Sequence, residues 1–123
     1  MMNPKTIKSN DILIFFVAFV DAKGGKKRPI LVTKVNQNDI VFFSMTSKYS
    51  NKSKTIQKQY YPIINWKESG LNKPTFIDIG NIRKTQIDDT IKLEKIGSLT
   101  IQDKIQLAAF IAEYKKSSLN NHR

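Results

Sequence analysis

Cysteine is absent from this 123-residue chain. Without a thiol there is no disulfide, no thiolate nucleophile and no zinc–thiolate site, and the disulfide framework of a small secreted protein is missing. Histidine occurs once, as His122 in the C-terminal tail. That excludes an acid–base mechanism built on two histidines, and also a histidine-rich metal site; no metal or other cofactor is expected. No paired carboxylates stand out. Asp88 and Asp89 read as a turn, because adjacent residues on an extended chain point apart. Long hydrophobic runs are missing too. The first apolar run, Ile12 to Val20, covers only nine residues. It is too short for a membrane-spanning helix, and no signal peptide precedes it, so the cytoplasm is the expected compartment and no membrane is expected as a partner.

Acids are scarce relative to bases, at 10 against 21, which gives a net charge of +11. Such an excess favours nucleic acid, an acidic membrane face or an acidic protein as partner. A basic protein with a solvated surface is the plain alternative, but here the cations cluster in loops. One cluster, Lys23, Lys26, Lys27 and Arg28, surrounds Gly24 and Gly25 between two apolar runs. The glycines let the backbone approach a polyanion closely. Pro29 fixes φ just after Arg28, which should hold the guanidinium beside a sheet at the base of the loop. A second cluster lies in residues 47–58, where Lys48, Lys52, Lys54 and Lys58 occur without an acid. It reads as a long mobile loop.

The length suits one domain spanning 1–123, with residues 1–10 and 117–123 loosely ordered. Runs of β-branched and aromatic residues predict strands at 11–20, 29–36, 39–46, 59–64, 74–79 and 82–87. Asn36 to Asp39 forms a polar turn, Asn65 to Gly70 a helical turn ended by glycine, and 91–99 is ambiguous. One helix follows, with Thr100 as its cap and Asp103 three residues on. Its apolar stripe is Ile101, Ile105, Ala108 and Ala112, widened by Leu107 and Ile111. The fold class is therefore mainly β with a terminal helix, as a small curled sheet or partly open barrel.

The candidate chemistry sits around the second and third strands. With a turn at 37–38, an antiparallel hairpin sets Arg28 nearly opposite Thr46, so a guanidinium and a hydroxyl share one neighbourhood. Thr46 and Ser47 either cap a turn or bond a phosphate there. Asp78, inside an apparent strand, is a hydrogen-bond acceptor or, less commonly, a general base. Tyr49, Tyr60, Tyr61 and Trp66 lie beside the basic segments and suit either base stacking or core packing.

Six segments, in order, resemble the MazF/PemK family of toxins from bacterial toxin–antitoxin systems. They are Asp11 to Leu13; Gly24 to Val32 with its Arg28-Pro29 pair; Thr46-Ser47; Gly70 to Thr75; Asn81 to Arg83; and Ile96 to Leu99 ahead of the helix. The likeness runs from about Asp11 to Tyr114. The family's usual Gly-Asp at the first strand is Asn10-Asp11 here, its common glutamine before the Ile-Arg pair is Asn81, and Asp78 is displaced from the acid that one branch uses. The resemblance implies an SH3-like barrel, a homodimer, and metal-independent cleavage of single-stranded RNA, including mRNA, to a 2′,3′-cyclic phosphate and a 5′-OH. It implies an acidic cognate antitoxin as partner. By motif match it implies Arg28 and Thr46 as the catalytic residues; Ser47, Thr75, Asp78 and Asn81 are the candidate supporting residues. Lys23, Lys26, Lys27, Lys48, Tyr49, Lys52 and Lys54 are the expected RNA contacts. A non-catalytic SH3-like module that binds nucleic acid or protein is the competing expectation.

Overall fold

The computed structural model describes residues 6–17, 26–87 and 92–120. Lys23, Asp88, Asp89 and His122 lie outside the described residues. The strands are β1 (Asp11–Val17), β2 (Lys26–Val35), β3 (Asp39–Thr46), β4 (Tyr60–Pro62), β5 (Phe76–Gln86) and β6 (Lys92–Ser98). The helices are α1 (Lys54–Gln57) and α2 (Ile101–Asn120). All six strands pair antiparallel in one open sheet, in the order β4-β5-β3-β2-β1-β6. The chain is thus mainly β with a C-terminal helix.

The central strand β3 is rich in Ile, Val and Phe and is buried on both faces, which suits its position between β2 and β5. One face packs Ile12, Leu31, Phe43, Met45, Tyr61, Ile77 and Ile79 against Leu107 of α2. The other face gathers Leu13, Ile30, Val32, Ile40 and Phe42, and Ile7 closes over them. Ile12, Leu31 and Ile77 are at most 1% exposed. Burying each contributes roughly 1.5–3 kcal/mol. Ile7 is thus a core residue within a segment expected to be loosely ordered.

Three strand pairs contain register shifts: β1/β6, β2/β3 and β3/β5. The largest is in β5. Phe43 pairs with Ile82, yet Ser44 pairs with Asp78, so residues 79–81 are inserted against one step of β3. The sequence suggests two strands around Gly80-Asn81; the structure has one strand with a bulge there.

The 36–39 turn is closed by Asn36, whose amide donates to the Asp39 carbonyl at 2.8 Å and whose side chain donates to the Asp39 carboxylate at 2.8 Å. The turn ending at Gly70 seats directly on β6. Gly70 has φ +94°, and a Cβ on Gly97 would collide with the Ser69 carbonyl oxygen. The 47–58 segment is more ordered than a plain loop. It contains α1, capped by the Ser53 hydroxyl, and Gln57 donates to the Tyr49 carbonyl at 2.9 Å.

Thr100 caps α2 as expected: the Asp103 amide donates to its hydroxyl at 3.3 Å. The helix, however, is rotated relative to the expected stripe. Ile101 and Ile105 are 73% and 66% exposed, and Ala108 and Ala112 also face outward. Leu107 and Ile111, the expected widening of that stripe, do face the sheet, joined by Asp103, Phe110 and Tyr114. The cause is Asp103, which is fully buried. Its carboxylate accepts from the Tyr61 hydroxyl at 2.6 Å and from the amides of Ile64 and Asn65 at 2.9 and 2.8 Å. A buried carboxylate needs such donors, and satisfying them fixes the rotation of the helix.

Candidate functional site

Polar side chains from four strands and one loop converge on the face of the sheet opposite α2. They border a groove of about 550 Å³. Arg28 enters from β2, Thr46 from β3, Tyr60 from β4, Asp78, Asn81 and Arg83 from β5, and Lys52 from the segment after β3; Phe15, Ile30 and Phe42 form its apolar wall.

Register explains the convergence. Ile30 pairs with Ser44, so continuing the ladder brings Arg28 opposite Thr46 on the same face. Arg28 also pairs with Phe15 of β1, and both border the groove. On a regular strand Asp78 and Asn81 would face opposite sides. The bulge at 79–81 shifts the phase by one, so Asp78, Asn81 and Arg83 share the groove, while Ile77, Ile79 and Ile82 turn the other way.

The Thr46 hydroxyl accepts from the Lys48 amide at 3.1 Å, which leaves its own proton free to donate into the groove. The side chain of Asn81 accepts from Arg83 Nε at 3.1 Å and so orients that guanidinium. Among the described residues, neither Arg28 nor Arg83 forms an ion pair, and the ion pairs of Asp11 and Asp39 lie elsewhere. Three cations and one carboxylate therefore line the groove, a balance that attracts an anion. Asp78 is held by Gln59, whose Nε2 donates to Oδ1 at 2.8 Å, and by the Gly80 amide at 3.1 Å. The Gln59 side chain lies against Gly80, where a Cβ would collide with it. Burial, and then the charge of Asp78, push the Tyr60 phenol above its ordinary pKa of 10.0.

The other sequence candidates stand apart from this groove. Thr75 is buried, and its hydroxyl donates to the Lys73 carbonyl at 2.9 Å. Tyr49 stacks on Phe76, with ring centres 4.5 Å apart. Ser47, Lys48 and Lys54 are exposed and do not border the groove. Lys26 and Lys27 open β2, but their side chains lie outside the described residues, as does Lys23. Tyr61 and Trp66 pack on the helix side, where burial and the hydrogen bond to Asp103 push the Tyr61 phenol upward. Arg83, Ser44 and Gln59 were not singled out from sequence. The alternation of Asn81 with Arg83 was the available signal for Arg83.

Among the described residues, no three His, Cys, Asp or Glu side chains cluster so as to hold a metal ion. Nor is any helix among them long and apolar enough to cross a membrane. No protein-family model matches this chain, and no curated protein sequence matches it.

Proposed function

We propose that this protein is a metal-independent endoribonuclease acting on single-stranded RNA, a toxin of the MazF/PemK kind with an SH3-like barrel. The observation that carries the reading is the convergence of Arg28 and Thr46 with Lys52, Asp78, Asn81 and Arg83 on one groove. Arg28, with no acidic partner among the described residues, is suited to a phosphate, which its fork of donors matches in bidentate fashion.

In the proposed reaction the RNA 2′-oxygen forms a bond to the adjacent phosphorus and the bond to the 5′-oxygen breaks. The proton leaving the 2′-OH is balanced by one gained at the 5′-oxygen, so no water is consumed in forming the cyclic phosphate. Arg28 stabilises the charge that builds on the phosphorane oxygens. It is not cast as the base, because a delocalised guanidinium does not give up its proton in a protein. Thr46 donates its free proton to a phosphate oxygen. Arg83, steered by Asn81, and Lys52 hold flanking phosphates.

The net charge of +11 supports an acidic, partly disordered antitoxin segment that covers these cations. The exposed stripe of Ile101, Ile105 and Ala108 supports a homodimer, with a second copy covering it. The second reading, a binding module that does not cut, is favoured by one observation. Among the described residues, the side chains lining the groove include no imidazole to serve as a base near neutral pH. Incubating the purified protein with a long single-stranded RNA in EDTA separates the two. Cleavage supports the nuclease; binding without cleavage supports the module.

A further inference from the structure

Two polar atoms bordering the groove, the Tyr60 hydroxyl and Asp78 Oδ2, have no hydrogen-bond partner among the described residues. Tyr60 is only 7% exposed and borders the groove, yet no described residue bonds its hydroxyl. No buried side-chain polar atom is left without a partner among the described residues, so this hydroxyl must open onto the groove. Asp78 is the register partner of Tyr60, so the two side chains stand next to each other on one face. Both donors to Asp78, from Gln59 and from Gly80, go to Oδ1. Among the described residues Oδ2 receives no hydrogen bond, and Asp78 borders the groove. Tyr114 donates to Gln59 Oε1 at 3.5 Å, which turns the amide so that its NH₂ group faces Asp78. The carboxylate is thus held from behind by a chain of contacts that reaches α2.

A carboxylate is out of place among cations that grip phosphates, because it repels the RNA backbone. Its position makes sense if it meets a base. We propose that Tyr60 and Asp78 form a base-reading pair that selects an amino-bearing base and rejects uracil. The proposal rests on the RNA-binding reading of the groove. Asp78 Oδ2 accepts from the exocyclic amine of adenine or cytosine, while the Tyr60 hydroxyl donates to the adjacent ring nitrogen. The raised Tyr60 pKa keeps that proton in place at neutral pH. Uracil offers only N3–H, flanked by two carbonyl oxygens that face the carboxylate unfavourably.

The test measures binding of labelled oligoadenylate, oligocytidylate and oligouridylate of equal length to an Arg28→Ala protein that does not cut. Adenylate and cytidylate should bind roughly tenfold more tightly than uridylate. Asp78→Asn keeps an oxygen for Gln59 and Gly80 but presents an amide NH₂ to the base. In the Arg28→Ala background it should move the preference toward uridylate, and Tyr60→Phe should shrink it. Mapped cut sites of the wild-type protein should show the same bias. Equal binding of all three oligomers, or a preference unchanged by both variants, overturns the base-reading pair while leaving RNA binding intact. No binding of any oligomer overturns the RNA reading itself, and the pair with it.

Discussion

Tyr60 and Tyr61 are neighbours on β4, yet they belong to different parts of the molecule. Tyr61 points to the helix side, where its hydroxyl is bonded to a buried carboxylate among apolar side chains. Tyr60 points to the groove, where among the described residues its hydroxyl has no partner and the neighbouring Asp78 carboxylate has one oxygen without a donor. One face of the sheet thus satisfies its polar groups internally and the other leaves several open. The first arrangement is what stability requires, and the second is what binding a ligand requires. Disturbing the helix face should therefore cost stability, and disturbing the groove should cost function.

The largest effect is expected on the helix face. Asp103→Ala orphans two amides and the Tyr61 hydroxyl, and should lower stability by about 3–5 kcal/mol in urea or thermal denaturation. Arg28→Ala is the counterpart in the groove. It should reduce the cleavage rate by about 10²–10³-fold, as for removal of one donor to a developing charge, with no more than a small shift in Tm. An Arg28→Ala protein that unfolds readily, or an Asp103→Ala protein with full stability, would break the contrast between the faces.

Alkaline pH provides a third probe. Both tyrosines have folded-state pKa values raised above 10.0. The folded state therefore favours the neutral phenols. The stability they contribute is fully present below pH 10 and is lost as pH rises through the folded values. Chemical denaturation midpoints should be level up to about pH 10 and fall above it, and Tyr60→Phe should make the fall shallower. A midpoint that rises above pH 10 contradicts this. The smallest effect is expected for Lys52→Ala. It should weaken RNA binding a few-fold for every sequence and reduce the slope of log K against log salt by about 0.7, as for one phosphate contact on a single strand. An unchanged slope would remove Lys52 from the phosphate path.

Much of the fold was legible in the sequence because its signals are local. Runs of Ile, Val and Phe marked the central strands, the Asn36–Asp39 turn marked the β2–β3 hairpin, and Thr100 marked the start of α2. The meeting of Arg28 with Thr46 was legible only to within one residue: the turn pairs Val35 with Ile40, which would set Arg28 opposite Ser47, and the register shift between Val32 and Lys34 moves it to Thr46. Three features were not legible, each because a distant contact decides it. The rotation of α2 depends on Asp103 reaching the 64–65 amides, so periodicity found Leu107 and Ile111 but centred the face wrongly on Ile101 and Ile105. The phase shift in β5 depends on a bulge, so alternation could not bring Asp78, Asn81 and Arg83 together. Gln59 gains its role only through Asp78, nineteen positions away.

The most direct test of the nuclease reading compares wild-type and Arg28→Ala protein on a long single-stranded RNA in EDTA, with the chemistry of the new ends determined. The account predicts cleavage by the wild-type protein, ends carrying a 2′,3′-cyclic phosphate and a 5′-OH, and little or no cleavage by a folded Arg28→Ala protein. Cleavage that requires added magnesium, or an Arg28→Ala protein that cuts at the wild-type rate, would contradict it.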